Sequence, residues 1–219
     1  MRFGIRTLDE LSVRGKTVLC RVDINQPVDR GTGTLKSVNR ITACVPTIRE
    51  LSEKGAKVVL MAHQGSDIEY KNFYTTKPHA KVLSELLGKE VQWIDDVCGP
   101  AAREAIRNLK DGDILLLDNV RFVAEEQTLF EMKLRLTHEQ QAKTLLVEKL
   151  APLVISMCAT RLQRHTVISR VFAALSRSFR PQWDVCLRRN TARFLPLWKN
   201  RTVPAFSYWA AQRSPMLSR

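Results

Sequence analysis

Residues 15–27 read GKTVLCRVDINQP and contain the clearest strand signal of the chain. Branched and apolar residues from Thr17 to Arg21, with Gly-Lys before them and Pro27 after, predict a buried strand. Asp23 and Asn25 follow the strand directly. Ligands of open α/β sheets bind beyond the carboxyl ends of the strands, so these two side chains are candidates for ligand contact. The alternative is that they only turn the chain, as Asp and Asn often do.

Two later apolar runs also end in polar residues. Lys57–Ala62, with the sequence KVVLMA, is followed by His63, Gln64, Gly65 and Ser66. Asp113–Asp118, with the sequence DILLLD, is followed by Asn119 and Arg121. A shorter run, Val91–Ile94, predicts one more strand. Strands that repeatedly deliver polar residues at their ends favour a binding role for those residues, although a lone histidine is more often structural.

Between the strands, apolar residues recur at helical spacing, and turn residues in 28–38 predict a loop or small hairpin. The predicted helices are Arg40–Lys54, which Gly55 would end, Pro78–Leu87, Pro100–Leu109 and Thr137–Leu150. Alternation of strands and helices predicts an α/β fold with a parallel sheet between two helical layers, a three-layer αβα, Rossmann-like domain.

Right-handed crossovers place the ends of these strands at one edge of the sheet. Arg40, Arg121 and His63 should therefore lie near Asp23 and Asn25. Converging guanidinium groups are unfavourable without an anion, and their geometry suits phosphate or carboxylate. The residues thus predict a site for a small phosphorylated acid. A solvated surface arginine is the alternative for Arg40.

Composition divides the chain near residue 153. Residues 1–153 carry a net charge of +2 and residues 154–219 a net charge of +11, while all nine glycines precede residue 154. The five cysteines are scattered without a C-x-x-C pair, which indicates a reducing compartment and neither a disulfide framework nor a zinc site. We find no long apolar run or signal peptide, and we expect a cytoplasmic protein without a membrane segment.

Several motifs together resemble those of the phosphoglycerate kinase family, in its archaeal-type branch. They are RVDINQP, NRI around Arg40, KGAKVVLMAHQG, SELLGKEV and DGDILLLDNVRFVAEE, in one colinear run over about residues 4–153. The resemblance implies an N-terminal domain that binds 3-phosphoglycerate, here residues 1–153 and incomplete. Its substrate-binding positions would be Asp23, Ile24, Asn25, Arg40, His63, Gln64, Gly65, Ser66 and Arg121, with Arg40 also catalytic. Ser66 stands where the family usually has arginine, which would remove one phosphate donor.

The resemblance also implies a glycolytic transfer of a phosphoryl group between ATP and the substrate's 1-carboxylate. Positioning and charge neutralisation by Arg and Mg²⁺ would provide the acceleration. In the family, ATP or ADP and Mg²⁺ belong to a second, C-terminal domain, and the protein is a monomer. We expect that nucleotide site to be missing from this chain.

Residues 154–219 show no family motif as written, but another reading frame restores two. Taking the third base of each codon with the first two of the next permits VCDAFAAAHR from Met157 onward and LGGAK near the end. Met157–Cys158 must give Val in that frame, and Trp183–Asp184 must give Gly. We therefore interpret residues from about Val154 onward as a frameshifted translation. We expect this tail to form no domain and to be disordered or in isolated helices, and the chain to be catalytically inactive.

The missing family strand should leave Thr17–Arg21 with an apolar edge that promotes aggregation, although the apolar run Pro152–Cys158 could partly fill the gap. Two other functions stay open. The chain could be a remnant that only binds 3-phosphoglycerate. Alternatively, the arginine- and aromatic-rich tail could bind nucleic acid, which we disfavour because a frameshift explains the same composition.

Overall fold

A computed structural model describes residues 8, 11–29, 31–65, 73–126, 140, 143–159 and 185–187. The strands are β1 (Thr17–Arg21), β2 (Lys57–Met61), β3 (Gln92–Ile94), β4 (Ile114–Leu117), β5 (Ser156–Ala159) and β6 (Val185–Leu187). The helices are α1 (Asn39–Glu53), α2 (Lys77–Leu87), α3 (Pro100–Asn108) and α4 (Leu145–Leu150). Short 3-10 turns cover Val120–Phe122 and Ala151–Leu153.

The six strands form one parallel sheet in the order β3-β4-β2-β1-β5-β6. β1 pairs with β2 from Thr17↔Lys57 to Arg21↔Met61, so these two strands end level with each other. Because these strands are parallel, their carboxyl ends lie at the same edge of the sheet. The segments that follow β1, β2 and β4 therefore all leave from that edge. This edge carries the candidate site.

Alternate residues of each strand point to opposite faces, and each face has its own core. On one face Leu60 and its neighbours pack against α1 and α2, through side chains such as Ile48 and Leu83. On the other face Leu115 packs among residues of α3 and α4, including Ile106. The predicted three-layer α/β architecture is confirmed. No helix within the described ranges is long and apolar enough to cross a bilayer.

Two local predictions hold in detail. Gly55 follows α1 with φ +78°, a left-handed conformation that glycine adopts readily, and a Cβ there would lie 3.3 Å from the Arg14 side chain. An antiparallel bridge between Val28 and Leu35 closes a small hairpin in the predicted loop region. The carboxylate of Asp29 accepts hydrogen bonds from two backbone amides inside this turn.

The predicted continuous helix Thr137–Leu150 is wrong. Thr144 has an extended backbone (φ −70°, ψ 146°), and α4 begins only at Leu145. The Leu145 amide donates to Glu125 Oε2 over 2.6 Å, which satisfies a donor at the start of the helix. Gln140 is helical, so the interruption lies between it and Leu145. Thr137 lies outside the described residues.

The slot beside β1 is filled by β5. Residues Val18 to Arg21 pair with Ser156 to Ala159, as the apolar run Pro152–Cys158 suggested it could. β1 therefore has a strand on each side, and the apolar edge expected there is absent from this part of the structure. β6 adds a second strand beyond β5, although disorder or isolated helices were expected for this region. The rest of residues 160–219 lies outside the described part of the chain.

Candidate functional site

The predicted site residues after β1 and β2 meet at the carboxyl edge of the sheet. Asn25 and Gly65 are joined by two hydrogen bonds: the Gly65 amide donates to Asn25 Oδ1 over 3.0 Å, and Asn25 Nδ2 donates to the Gly65 carbonyl over 3.3 Å. Gly65 has φ +104°, which a side chain would disfavour. The same carbonyl accepts from Arg121 Nη1 over 2.5 Å. Three segments that are distant in sequence thus converge on one peptide group.

Arg40 and Asp23 form an ion pair at the side of this cluster. Arg40 Nη1 lies 3.2 Å and 3.4 Å from the two carboxylate oxygens of Asp23. The Asp23 side chain is buried, at 7% exposure, whereas the Arg40 side chain is 48% exposed. Arg40 therefore keeps much of its guanidinium accessible to a ligand while the buried carboxylate holds it in place.

His63 lies between a second arginine and Asn25. Arg21 Nη2 donates to His63 Nδ1 over 2.6 Å, and its Nη1 donates to the Met61 carbonyl over 3.0 Å. A guanidinium only donates, so Nδ1 must accept, and the ring proton of the neutral histidine is on Nε2. Among the described residues, Nε2 faces only Asn25 Nδ2, at 3.4 Å. His63 Nε2 and Asn25 Nδ2 are both donors in this arrangement, so the Nε2 proton is available for a hydrogen bond to a ligand oxygen.

Electrostatics keep His63 neutral. Its pKa is well below the usual 6.5, first because of burial and then because of Arg21, Arg121 and Arg40. All three guanidinium groups are therefore close enough to oppose a positive charge on this ring. The pKa of Arg21 is lowered to about 10, mainly by burial.

Glu126 is a buried acid near the same arginines. Glu126 is only 7% exposed to solvent. Burial raises its pKa to about 7, although Arg21 and Arg121 act in the opposite direction. Three arginines thus face two carboxylates, those of Asp23 and Glu126, and one of these acids is half-protonated near neutral pH. The site carries an excess of positive charge.

Two predicted site residues have no accessible side chain. Ile24 is fully buried in the core on the α1 side of the sheet, and Gln64 is 2% exposed. Gln64 Oε1 accepts from the Gln26 amide and from His79 Nε2, while Gln64 Nε2 donates to the Gln26 carbonyl. We therefore assign the Ile24 side chain to the core and the Gln64 side chain to the protein interior. Ser66 lies outside the described residues.

Sequence reasoning missed Arg21 and Glu126. Arg21 is the last residue of a strand that is otherwise largely apolar. A charged residue in a buried strand is unusual, and this could have identified Arg21 as a candidate. Glu126 follows the 3-10 turn after β4, where the sequence offers no comparable signal. Within the described residues, no group of three or more His, Cys, Asp or Glu side chains could hold a metal ion.

The family model for phosphoglycerate kinase matches residues 8–156. The chain belongs to the phosphoglycerate kinase family. This match contains every described residue of the site, and the resemblance found in the motifs is confirmed.

Two of the similar curated relatives come from archaea. The phosphoglycerate kinase of Methanothermobacter thermautotrophicus is 47% identical over 152 residues, which are 69% of this chain and 35% of the relative. That of Methanococcus maripaludis is 49% identical over 148 residues, which are 67% of this chain and 35% of the relative. The chain spans about a third of the length of the curated relatives it matches.

Solved structures of the family share this fold. A crystal structure of phosphoglycerate kinase from Pyrococcus horikoshii superposes with a TM-score of 0.73 and 34% identity, over 88% of this chain and 44% of that chain. The enzyme from Coxiella burnetii, with a TM-score of 0.62 and 19% identity, covers 92% of this chain and 46% of its own and is similar in fold alone.

Proposed function

We propose that the described domain binds 3-phosphoglycerate and forms the acceptor-substrate half of a phosphoglycerate kinase. The observation that carries this proposal is the convergence of three arginines at one edge of the sheet. There Arg21 contacts His63, Arg40 contacts Asp23 and Arg121 contacts the Gly65 carbonyl. A triose acid carries a phosphate at one end and a carboxylate at the other. Such a ligand would balance the excess positive charge, and both of its ends suit the fork geometry of guanidinium groups.

Each residue has a definite role in this proposal. Asp23 and Asn25 contact the hydroxyl and carboxylate end of the substrate. Arg40 and Arg121 hold charged oxygens, and Arg40 is the catalytic arginine, since it would neutralise the oxygen that takes part in phosphoryl transfer. His63 donates from Nε2 to a substrate oxygen. Gly65 lines the site through its peptide group. Ser66, outside the described residues, would offer a hydroxyl where the family usually has a guanidinium.

The complete reaction would be a reversible glycolytic transfer of a phosphoryl group between ATP and the carboxylate of 3-phosphoglycerate. Such transfers ask little covalent chemistry of the protein, so positioning and charge neutralisation dominate. We propose that the described residues supply the acceptor site only, and that ATP or ADP with Mg²⁺ has no site in this chain. We place the protein in the cytosol, where cysteines stay reduced; Cys20, Cys44, Cys98 and Cys158 are buried and form no disulfide.

We further propose that this chain alone is catalytically inactive, because the sequence from about Val154 onward reads as an out-of-frame translation. Purified protein given 3-phosphoglycerate, ATP and Mg²⁺ should produce no ADP above the level of a protein-free control. Measurable turnover would contradict inactivity. Sequencing the coding DNA around codon 154 tests the frameshift directly, and an intact frame relative to relatives would overturn it.

Calorimetric titration tests the substrate site itself. The full chain should bind 3-phosphoglycerate, and Arg40→Ala should weaken this binding because it removes an accessible guanidinium. Arg107→Ala, on the exposed face of α3, serves as a matched loss of one positive charge. If the wild-type chain fails to bind, or if both variants lose affinity equally, the proposed site is wrong.

A further inference from the structure

Gln64 connects three loops at the carboxyl edge of the sheet. Its side chain bonds to both backbone groups of Gln26, in the loop after β1: it accepts from the Gln26 amide over 3.0 Å and donates to the Gln26 carbonyl over 2.6 Å. The side-chain amide of Gln64 thus bonds to the Gln26 backbone as a neighbouring strand would, with one accepted and one donated hydrogen bond. It joins the segment after β1 to the segment after β2.

Asn119 makes a matching connection from the loop after β4. Asn119 Oδ1 accepts from the Gln64 amide over 3.1 Å, and Asn119 Nδ2 donates to the Gln64 carbonyl over 2.8 Å. The same Oδ1 accepts from the Arg121 amide over 3.1 Å. Asn119 is completely buried, so these bonds form without competition from water. One side chain thus fixes the backbone of both Gln64 and Arg121.

The surrounding polar groups hold these two amides in orientation. His79 Nε2 donates to Gln64 Oε1 over 2.9 Å, and burial lowers the pKa of His79 to about 4, so the ring stays neutral near pH 7. Asp118 Oδ1 accepts from the amides of Asn119 and Thr76, both over 2.7 Å. A buried network with most of its groups paired has few alternative arrangements.

The neighbours of Gln64 in the chain are the groups that face the proposed ligand. His63 precedes it and contacts Arg21 and Asn25, whereas Gly65 follows it and contacts Asn25 and Arg121. Gln64 points inward between two residues that point to the site. Any movement of the Gln64 backbone would therefore displace His63 and the Gly65 carbonyl together.

We propose that Gln64 and Asn119 are positioning residues, which tie the loops after β1, β2 and β4 into one unit and thereby fix the spacing of His63, Asn25 and Arg121. Neither side chain touches the ligand. This inference rests on the proposed substrate site for its function, but its structural content can be measured without a ligand. It also accounts for the burial of Gln64, which a substrate ligand would not require.

The first experiment compares Gln64→Leu with Gln92→Leu in the full chain. Leucine resembles glutamine in size, so Gln64→Leu removes the hydrogen bonds with little change in packing, and Gln92 is exposed on β3. We expect Gln64→Leu to raise the pKa of His63, followed by NMR, toward 6.5, because the ring becomes less buried and moves away from the three arginines that oppose its charge. Affinity for 3-phosphoglycerate should fall roughly 10-fold or more. This loss is similar in size to the loss of metal affinity when a residue that orients a metal ligand is replaced. Gln92→Leu should change neither value.

The outcomes separate the two proposals. If the wild-type chain binds no 3-phosphoglycerate but the His63 pKa shifts only in Gln64→Leu, the substrate site is wrong and the positioning role stands. If Gln64→Leu lowers stability while the His63 pKa and the affinity stay unchanged, the positioning role is overturned. This second result is what we would expect if Gln64 contributed only to the stability of the fold.

A second measurement needs no variant. The amides of Gln26, Gln64 and Arg121 all donate to Gln64 or Asn119, so in wild-type protein they should exchange with deuterium with the same opening free energy. Three clearly different opening free energies would mean that the loops move independently, which would overturn the proposal even if Gln64→Leu does not fold.

Discussion

Replacing Glu126 with glutamine should remove a loss of stability that the wild-type protein shows as the pH rises from about 5 to about 8. Glu126 is buried, and its pKa is raised from 4.5 to about 7. A carboxyl group with a higher pKa in the folded state binds its proton more tightly there than in the unfolded chain. Its stabilising contribution is therefore complete below pH 4.5 and is lost as the pH rises through about 7.

The size of the effect follows from the shift. One pKa unit corresponds to about 1.4 kcal/mol, so the interval from 4.5 to about 7 corresponds to roughly 3.5 kcal/mol over the full titration. Between about pH 5 and about pH 8, roughly 2.5 kcal/mol of this is expressed. Glutamine resembles the protonated acid in shape and does not titrate, so the Glu126→Gln protein should lack this dependence.

Urea unfolding of the wild-type and Glu126→Gln proteins at a series of pH values measures this pH dependence of stability. His63 acts in the opposite direction: its pKa is lowered, so its contribution is lost as the pH falls below 6.5. Both proteins contain His63, and the difference between their unfolding free energies isolates Glu126. Glu85→Gln, an exposed change on α2, controls for the loss of one negative charge. If the unfolding free energies of wild type and Glu126→Gln differ by a constant amount across this pH range, Glu126 does not have a raised pKa in the folded protein.

Three further results are expected. Arg121→Ala should weaken binding of 3-phosphoglycerate about 10- to 100-fold in calorimetry, because a hydrogen bond to a charged group contributes about 1.5–3 kcal/mol; an unchanged affinity would exclude Arg121 from the site. Leu60→Ala should lower the unfolding free energy by about 2–5 kcal/mol, since Leu60 is fully buried. Leu145→Ala, at an exposed position, should change it by less than about 0.5 kcal/mol, and equal losses would contradict the assigned core. Ser66→Arg should tighten 3-phosphoglycerate binding roughly 10-fold by adding a guanidinium, and no gain would mean that position 66 does not face the phosphate.

The sheet and its helices were predictable because their signals are local. Val58 to Leu60 and Ile114 to Leu117 form continuous apolar runs that only a strand buried on both faces explains. Parallel pairing then places their ends at one edge, so the meeting of Asn25, His63 and Arg121 followed from topology alone.

Side-chain directions beyond the strand ends were not predictable. The period of two that orients residues in a strand stops at Met61, and Gly65 with φ +104° turns the chain in a way that no pattern records. Gln64 therefore looked like a ligand residue and points inward. The break at Thr144 was hidden for a related reason: apolar residues keep helical spacing across it, while the contact that fixes it comes from Glu125, far away in sequence.

The position of Trp93 gives the protein an optical reporter. Its indole Nε1 donates to Thr76 Oγ1 over 3.2 Å, and Lys77 Nζ lies 5.2 Å from the ring centre. Thr76 in turn donates to Asp118, the residue that precedes Asn119. The other three tryptophans, Trp183, Trp198 and Trp209, all follow residue 154. Changing those three to phenylalanine would leave a single fluorophore whose emission wavelength and quenching follow the loop after β4 in real time.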